Sequence, residues 1–250
     1  MPPACTDALV DVANLMRVIL TLNVPGDVVE CGVWRGGTAF LMAELLKQSG
    51  VRDRKVWLFD SFEGMPPVEE IDGAYAIKEA NDPESFLSPH KSRAPLEEVQ
   101  RTASELGLAN HTEFVKGWFN ETLPVARDRV GEIALLHIDC DWYSSVRCCL
   151  DNLYDRVAEG GFVSWMTTIT MMPVRLPHMN FWPNVVCRIE LRVLKAEHGE
   201  GVNISTLPGF VKGRRIGRRS TEECHNEDRQ TSSVSGRPEK VRVEARGERA

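Results

Sequence analysis

Asp139 and Asp141 stand one residue apart, with Cys140 between them, directly after the apolar run Ile133-Ala134-Leu135-Leu136-His137-Ile138. If the chain there is extended, alternate side chains share a side and both carboxylates face one crevice. Hard cations such as Mg²⁺ take oxygen ligands of this kind and keep water in their remaining positions. A cation so held would lower the pKa of a substrate hydroxyl and orient it, while the neighbouring carboxylate accepts the proton. The same acids could also cap a following helix, and spacing alone leaves both readings open.

Two further acids lie earlier in the chain. Val28-Val29-Glu30-Cys31-Gly32-Val33-Trp34-Arg35-Gly36-Gly37 joins a strand end, a glycine turn and a helix start. Its spacing is Gly-x-x-x-Gly-Gly, not the Gly-x-Gly-x-x-Gly that cradles a pyrophosphate. That disfavours a nucleotide-dependent oxidoreductase and favours a cofactor without a pyrophosphate. Residues 54–59 read as the next strand and deliver Asp60 at its carboxyl end, where an acid can accept hydrogen bonds from ribose hydroxyls. Ordinary solvated strand ends would explain either acid singly; Glu30 and Asp60 together argue for a ligand. Residues 112–115 read as a third strand, and Lys116-Gly117-Trp118-Phe119 follows it. A glycine and an aromatic there could form a flat wall for a purine ring, the alternative being a core tryptophan.

Elements of one particular kind must position these groups. Thr6-Asp7 can cap a helix with Leu9, Ala13, Met16 and Leu20 on one stripe, and residues 38–47 form a crossover helix after the glycine turn. Residues 65–95 are rich in Pro, Asp, Glu and Ser and read as an irregular lid over substrate and cofactor. Residues 96–106 predict a helix, and 132–138 form the near-continuous apolar run of a doubly covered parallel strand. Residues 142–157 predict another helix, and Gly160-Gly161 leads into a fifth strand over 162–165. Strands and helices alternating in this order predict an α/β fold with a doubly wound, mostly parallel sheet and the acids at its ligand edge.

A chain of 250 residues with net charge −6 suits one sizeable core and gives no sign of non-specific nucleic-acid binding. No run reaches membrane-spanning length, and Asp11, Asn14 and Arg17 interrupt the apolar N-terminal stretch in a way that does not suit a signal peptide, so a cytoplasmic protein with no membrane partner is expected. The 7 cysteines are scattered without a Cys-x-x-Cys pair, which suits reduced, structural thiols. From Val211 onward no aromatic residue occurs, and the charged composition predicts a disordered tail over 211–250.

Five runs together resemble the macrocin O-methyltransferase (TylF-like) family across residues 20–165. They are Pro25-Gly26-Asp27-Val28-Val29-Glu30-Cys31-Gly32-Val33-Trp34-Arg35-Gly36-Gly37, Asp60-Ser61-Phe62-Glu63-Gly64-Met65-Pro66, Lys116-Gly117-Trp118-Phe119 with Thr122-Leu123-Pro124, Asp139-Cys140-Asp141-Trp142-Tyr143-Ser144-Ser145 with Leu153-Tyr154, and Glu159-Gly160-Gly161-Phe162. The resemblance implies a class I, Rossmann-like methyltransferase domain over 1–210 and S-adenosylmethionine as methyl donor. It further implies Mg²⁺ dependence, methylation of a hydroxyl on a sugar of a small natural product, and a homo-oligomer. It places Glu30 and Gly32 at the methionine end of the cofactor, Asp60 and Ser61 at its ribose and Gly117-Trp118 beside the adenine. It makes Asp139 a metal ligand and Asp141 the general base.

The resemblance breaks after the fifth strand. The family continues there with Asp-Asp-Tyr, whose aspartates complete the metal site, whereas this chain reads Met166-Thr167-Thr168 and has no further acid until Glu190. Asp139 alone would hold Mg²⁺ poorly. The alternative is therefore a catalytically impaired S-adenosylmethionine-binding protein. The codons of Met166-Thr167-Thr168-Ile169, read from the third base of the first, give an obligatory Asp triplet followed by two that permit Asp and Tyr. A change of reading frame near Trp165 is thus one expectation, genuine divergence the other.

Overall fold

The computed structural model describes residues 3–165, 188–190, 209–211 and 244–246. Met166-Thr167-Thr168, with the expected frame change, and almost all of the expected 211–250 tail lie outside the described residues.

Five strands form a parallel sheet: β1 (Asp27–Cys31), β2 (Val56–Asp60), β3 (Thr112–Lys116), β4 (Ile133–Ile138) and β5 (Val157–Trp165). β6 (Arg188–Glu190) and β8 (Glu244–Arg246) make a separate antiparallel pair, and β7 (Gly209–Val211) lies antiparallel against β5. The main sheet runs β3-β2-β1-β4-β5-β7. Every residue of β4 is buried, as a strand covered on both faces requires.

The helices are α1 (Pro3–Thr21), α2 (Gly37–Gln48), α3 (Gly73–Ala80), α4 (Leu96–Glu105), α5 (Phe119–Val130) and α6 (Tyr143–Leu153). α1 packs beside α2, and α5 beside α6. Right-handed crossovers put the helix between β1 and β2 on one face and the helix between β4 and β5 on the other, which is the doubly wound α/β arrangement the alternation predicts. Among the described residues no helix is long and apolar enough to cross a membrane.

Four local expectations need correction. α1 starts at Pro3, ahead of Thr6-Asp7. The segment 65–95 is not wholly irregular, since it holds a short 3₁₀ turn at Glu70–Asp72 and α3. The helix after Trp142 ends at Leu153 rather than Val157, and β5 starts earlier than residue 162 because the β4–β5 register shifts between Ile133 and Leu135 around Gly160-Gly161. α5 was not foreseen: Pro124 falls inside it and only Leu123, Ala126 and Val130 of its residues are buried, a weak periodic signal.

Candidate functional site

The strand order reverses between β1 and β4, and in such sheets the crevice beyond the carboxyl ends of these strands takes the ligand. The expected residues converge on that edge. Gly32 leaves β1 with φ +88°, and a Cβ there would lie 2.2 Å from the Asp139 carbonyl oxygen, so only glycine lets the two strand exits pass so closely. The Asp139 N–H donates to the Cys31 carbonyl at 2.8 Å, which fixes the β4 exit against the β1 exit.

Asp60, at the end of β2, is heavily engaged. Its Oδ2 accepts from the backbone N–H of Val33 at 2.7 Å and of Trp34 at 3.0 Å, and its Oδ1 accepts from Phe62 N–H at 2.6 Å. Among the described residues the non-glycine residues with positive φ are Asn23, Trp34 (+47°) and Phe62 (+55°). Two of these three strained backbones are therefore held by one carboxylate, which ties the loop after β1 to the loop after β2. The Asp60 carbonyl accepts from Gly117 N–H at 2.9 Å and brings in the β3 exit. Trp118, half-buried, follows as the residue before α5. Ser61 is buried, donating to the Gly64 carbonyl at 2.6 Å and accepting from Glu63 N–H at 3.1 Å, so its hydroxyl already serves the turn.

The other acids are in a different condition. Glu30 is 1% exposed and its Oε2 has no hydrogen-bond partner. Burial pushes its carboxyl well above the usual range, and the charges of Asp139, Cys31 and Asp60 push the same way, while the Ala39 backbone in the first turn of α2 acts in opposition. Asp139 is pushed up to about 7, first by burial and then by Asp141 and Asp60. Burial raises Asp141 to about 6. Four carboxylates thus share a confined space, an arrangement that a cationic ligand would relieve.

Side chains that the sequence did not single out complete the surroundings. Glu30, His137 and Ser164 lie in register across β1, β4 and β5. His137 Nδ1 and Ser164 Oγ are 2.8 Å apart, and burial pushes the imidazole down to about 4, so it stays neutral. Asp72 is buried and accepts from Tyr143 N–H at 2.8 Å and Glu69 N–H at 2.8 Å. Trp142 Nε1 donates to the Pro66 carbonyl at 3.0 Å, and Trp142 packs with Ala76 and Leu87. The segment 65–95 is therefore a cap docked on the residues immediately after Asp141. Its place as the one polar residue in the apolar run of β4 could have flagged His137; nothing local marks Asp72.

Among the described residues the donor set does not fit magnesium. Among the described residues no group of three or more His, Cys, Asp or Glu side chains could hold a metal ion, and Met166-Thr167 offer no carboxylate. Cys31, Cys140 and Cys149 are buried and Cys148 is half-buried.

A family model described as Macrocin-O-methyltransferase (TylF) matches residues 6–181. The chain is 40% identical over 151 residues to 8-demethyl-8-(2,3-dimethoxy-alpha-L-rhamnosyl)-tetracenomycin-C 4'-O-methyltransferase of Streptomyces olivaceus, covering 59% of this chain and 55% of that one. It is 40% identical over 158 residues to demethyldecarbamoylnovobiocin O-methyltransferase of Streptomyces niveus, covering 62% and 57%. The chain thus spans a little over half the length of these curated relatives. Among solved structures, the O-methyltransferase NovP superposes with a TM-score of 0.66 at 29% identity, covering 83% of this chain and 80% of that one.

Proposed function

Because the chain belongs to the macrocin-O-methyltransferase (TylF) family, we propose that it is an S-adenosylmethionine-dependent O-methyltransferase whose acceptor is a hydroxyl of a sugar or other small natural product. The observation that carries this reading is the buried Glu30 carboxylate, whose Oε2 has no hydrogen-bond partner, set among acids at the reversal of strand order. S-adenosylmethionine, when bound, supplies an electrophilic methyl group carried on a sulfonium.

The chain's own residues do the rest. Glu30, beside the turn at Gly32, offers a desolvated oxygen to a cationic amine, at the methionine end of the cofactor. Asp60 and Ser61 lie on the ribose side; three of the Asp60 lone-pair positions are taken by backbone N–H groups, which leaves room to accept from a ribose hydroxyl as well. Gly117-Trp118 form the wall for the adenine. Asp141, raised to about 6, is ionised at neutral pH yet basic enough to take and hold the proton of the acceptor hydroxyl. Asp139, the acid the resemblance makes a metal ligand, is itself raised by burial and by Asp141 and Asp60, and no step runs through Mg²⁺.

The test is calorimetric titration of the chain with S-adenosylmethionine, followed by transfer of a labelled methyl group to a panel of glycosides with and without a chelator. Binding and transfer that survive chelation are expected; failure to bind the cofactor overturns the proposal. Met166-Thr167, standing where the resemblance implies acids, favour a second reading in which the chain binds S-adenosylmethionine without turnover. Binding with no transfer to any acceptor would select it.

A further inference from the structure

Trp34 is a bulky residue in a conformation that glycine ordinarily takes. Such a backbone persists only where its surroundings impose it, and here the Asp60 carboxylate does so. The result is an indole left 37% exposed at the edge of the acid cluster. Its partner is Phe86 from the cap, 55% exposed, with ring centroids 4.9 Å apart and planes at 87°. The Arg35 guanidinium lies 4.7 Å from the Trp34 ring centroid. Ile71 and Tyr75, also on the cap, are exposed as well. A pair of large exposed aromatic groups in contact, as Trp34 and Phe86 are, marks a binding surface more often than scattered exposure does.

We infer that Trp34 and Phe86 form an aromatic rim that takes a planar, aromatic part of the acceptor, with Asp60 as the positioning residue that presents the indole. The inference rests on the methyltransferase reading for what the acceptor's hydroxyl does, but not for the rim itself. The cap supplies the link. It carries Phe86 at one end of its fold and is anchored through Pro66 and Asp72 to Trp142 and Tyr143, next to Asp141. A hydroxyl held at Asp141 and an apolar body held at the rim are therefore both gripped by one substructure. An edge-to-face ring pair with an adjacent guanidinium suits a third π-system better than a bare sugar, because aromatic faces and cations add quadrupole terms to simple area burial.

The test compares phenyl α-L-rhamnopyranoside with methyl α-L-rhamnopyranoside, the same sugar with and without an aromatic aglycone, on the full chain loaded with S-adenosylmethionine. Binding of each glycoside and of the cofactor is measured for the unaltered chain, Trp34→Ala, Phe86→Ala and Trp34→Phe. The phenyl glycoside is expected to bind about 10-fold tighter in the unaltered chain. That advantage should fall towards unity in Trp34→Ala and Phe86→Ala, with cofactor affinity unchanged in Phe86→Ala, and return largely in Trp34→Phe. Equal affinity for the two glycosides in the unaltered chain overturns the inference. So does an advantage that persists in both alanine variants, or an equal loss for both glycosides, which would make the ring pair a latch. If the cofactor fails to bind while the phenyl preference and its loss in the variants are seen, the rim stands and the transferase reading falls.

Discussion

Asp60 and the Asp139–Asp141 pair end neighbouring regions of one sheet edge, yet the fold uses them in opposite ways. Asp60 accepts three backbone N–H groups and holds the left-handed Trp34 and Phe62 in place. Asp139 and Asp141 are raised by burial, and Asp139 further by its acidic neighbours. An acid met by donors strengthens its loop, whereas an acid met by other acids weakens the fold until a ligand arrives. The β1–β2 side of the crevice is therefore preassembled structure, and the β4 exit is chemistry held under repulsion.

The contrast can be destroyed altogether at Gly32, where both sides meet. Gly32→Ala would drive a Cβ to 2.2 Å from the Asp139 carbonyl at a positive φ. A loss of stability of about 3–5 kcal/mol is expected, read from urea denaturation, together with loss of cofactor binding. A near-neutral result would mean that the β1 and β4 exits are not locked together.

Matched substitutions on the two sides come next. Asp141→Asn removes the proposed base and should lower methyl transfer by about 100-fold or more, while at pH 7 stability stays the same or rises because a buried charge is gone. Asp60→Asn should do the reverse to stability, costing about 1.5–3 kcal/mol as N–H donors lose a charged acceptor. Equal stability losses in both variants would erase the distinction.

The sequence made one side of this contrast readable and concealed the other. Strand ends are marked by apolar runs stopping at acids, so Glu30, Asp60, Asp139 and Asp141 could be placed at one edge before any coordinates. What an acid does there depends on donors from distant segments. Nothing in Asp60-Ser61-Phe62 reveals that the Val33 and Trp34 amides, 27 and 26 residues away, take up Oδ2. The helix within the cap is hard to read for a related reason: α3 packs through Ala76 with Trp142 and Leu87 across the chain, and tertiary burial of this sort leaves little local pattern. α5 was hidden by Pro124, which lies inside the helix and lacks the N–H that would donate to the carbonyl four residues earlier, so the local sequence argues against a helix there.

The smallest expected effect is the dependence of stability on pH, and it tests the contrast without altering a residue. An unfolded aspartate titrates near about 4, whereas in the fold Asp139 is raised to about 7 and Asp141 to about 6. Across that interval the native state binds more protons than the unfolded one. The stability these acids contribute is thus greatest at low pH and is lost as pH rises through 6 and 7. His137 acts in the other direction: held neutral down to about 4 in the fold but protonated below about 6.5 when unfolded, it costs stability as pH falls through that range. As pH rises above about 6.5 the His137 contribution fades, and the raised carboxylates Glu30, Asp139 and Asp141 still change. Asp139 and Asp141 are both half-buried rather than fully buried, and water screening reduces the effect to about 1 kcal/mol. Urea midpoints should therefore decline between pH 6.5 and 8 in the unaltered chain and decline less in Asp139→Asn, where Glu30 still titrates. Addition of S-adenosylmethionine should reduce the decline, since its positive charge is placed among the acids. A level profile in the unaltered chain would show that Asp139 is as well satisfied as Asp60, and the crevice would lose the repulsion on which its readiness for a cationic ligand depends.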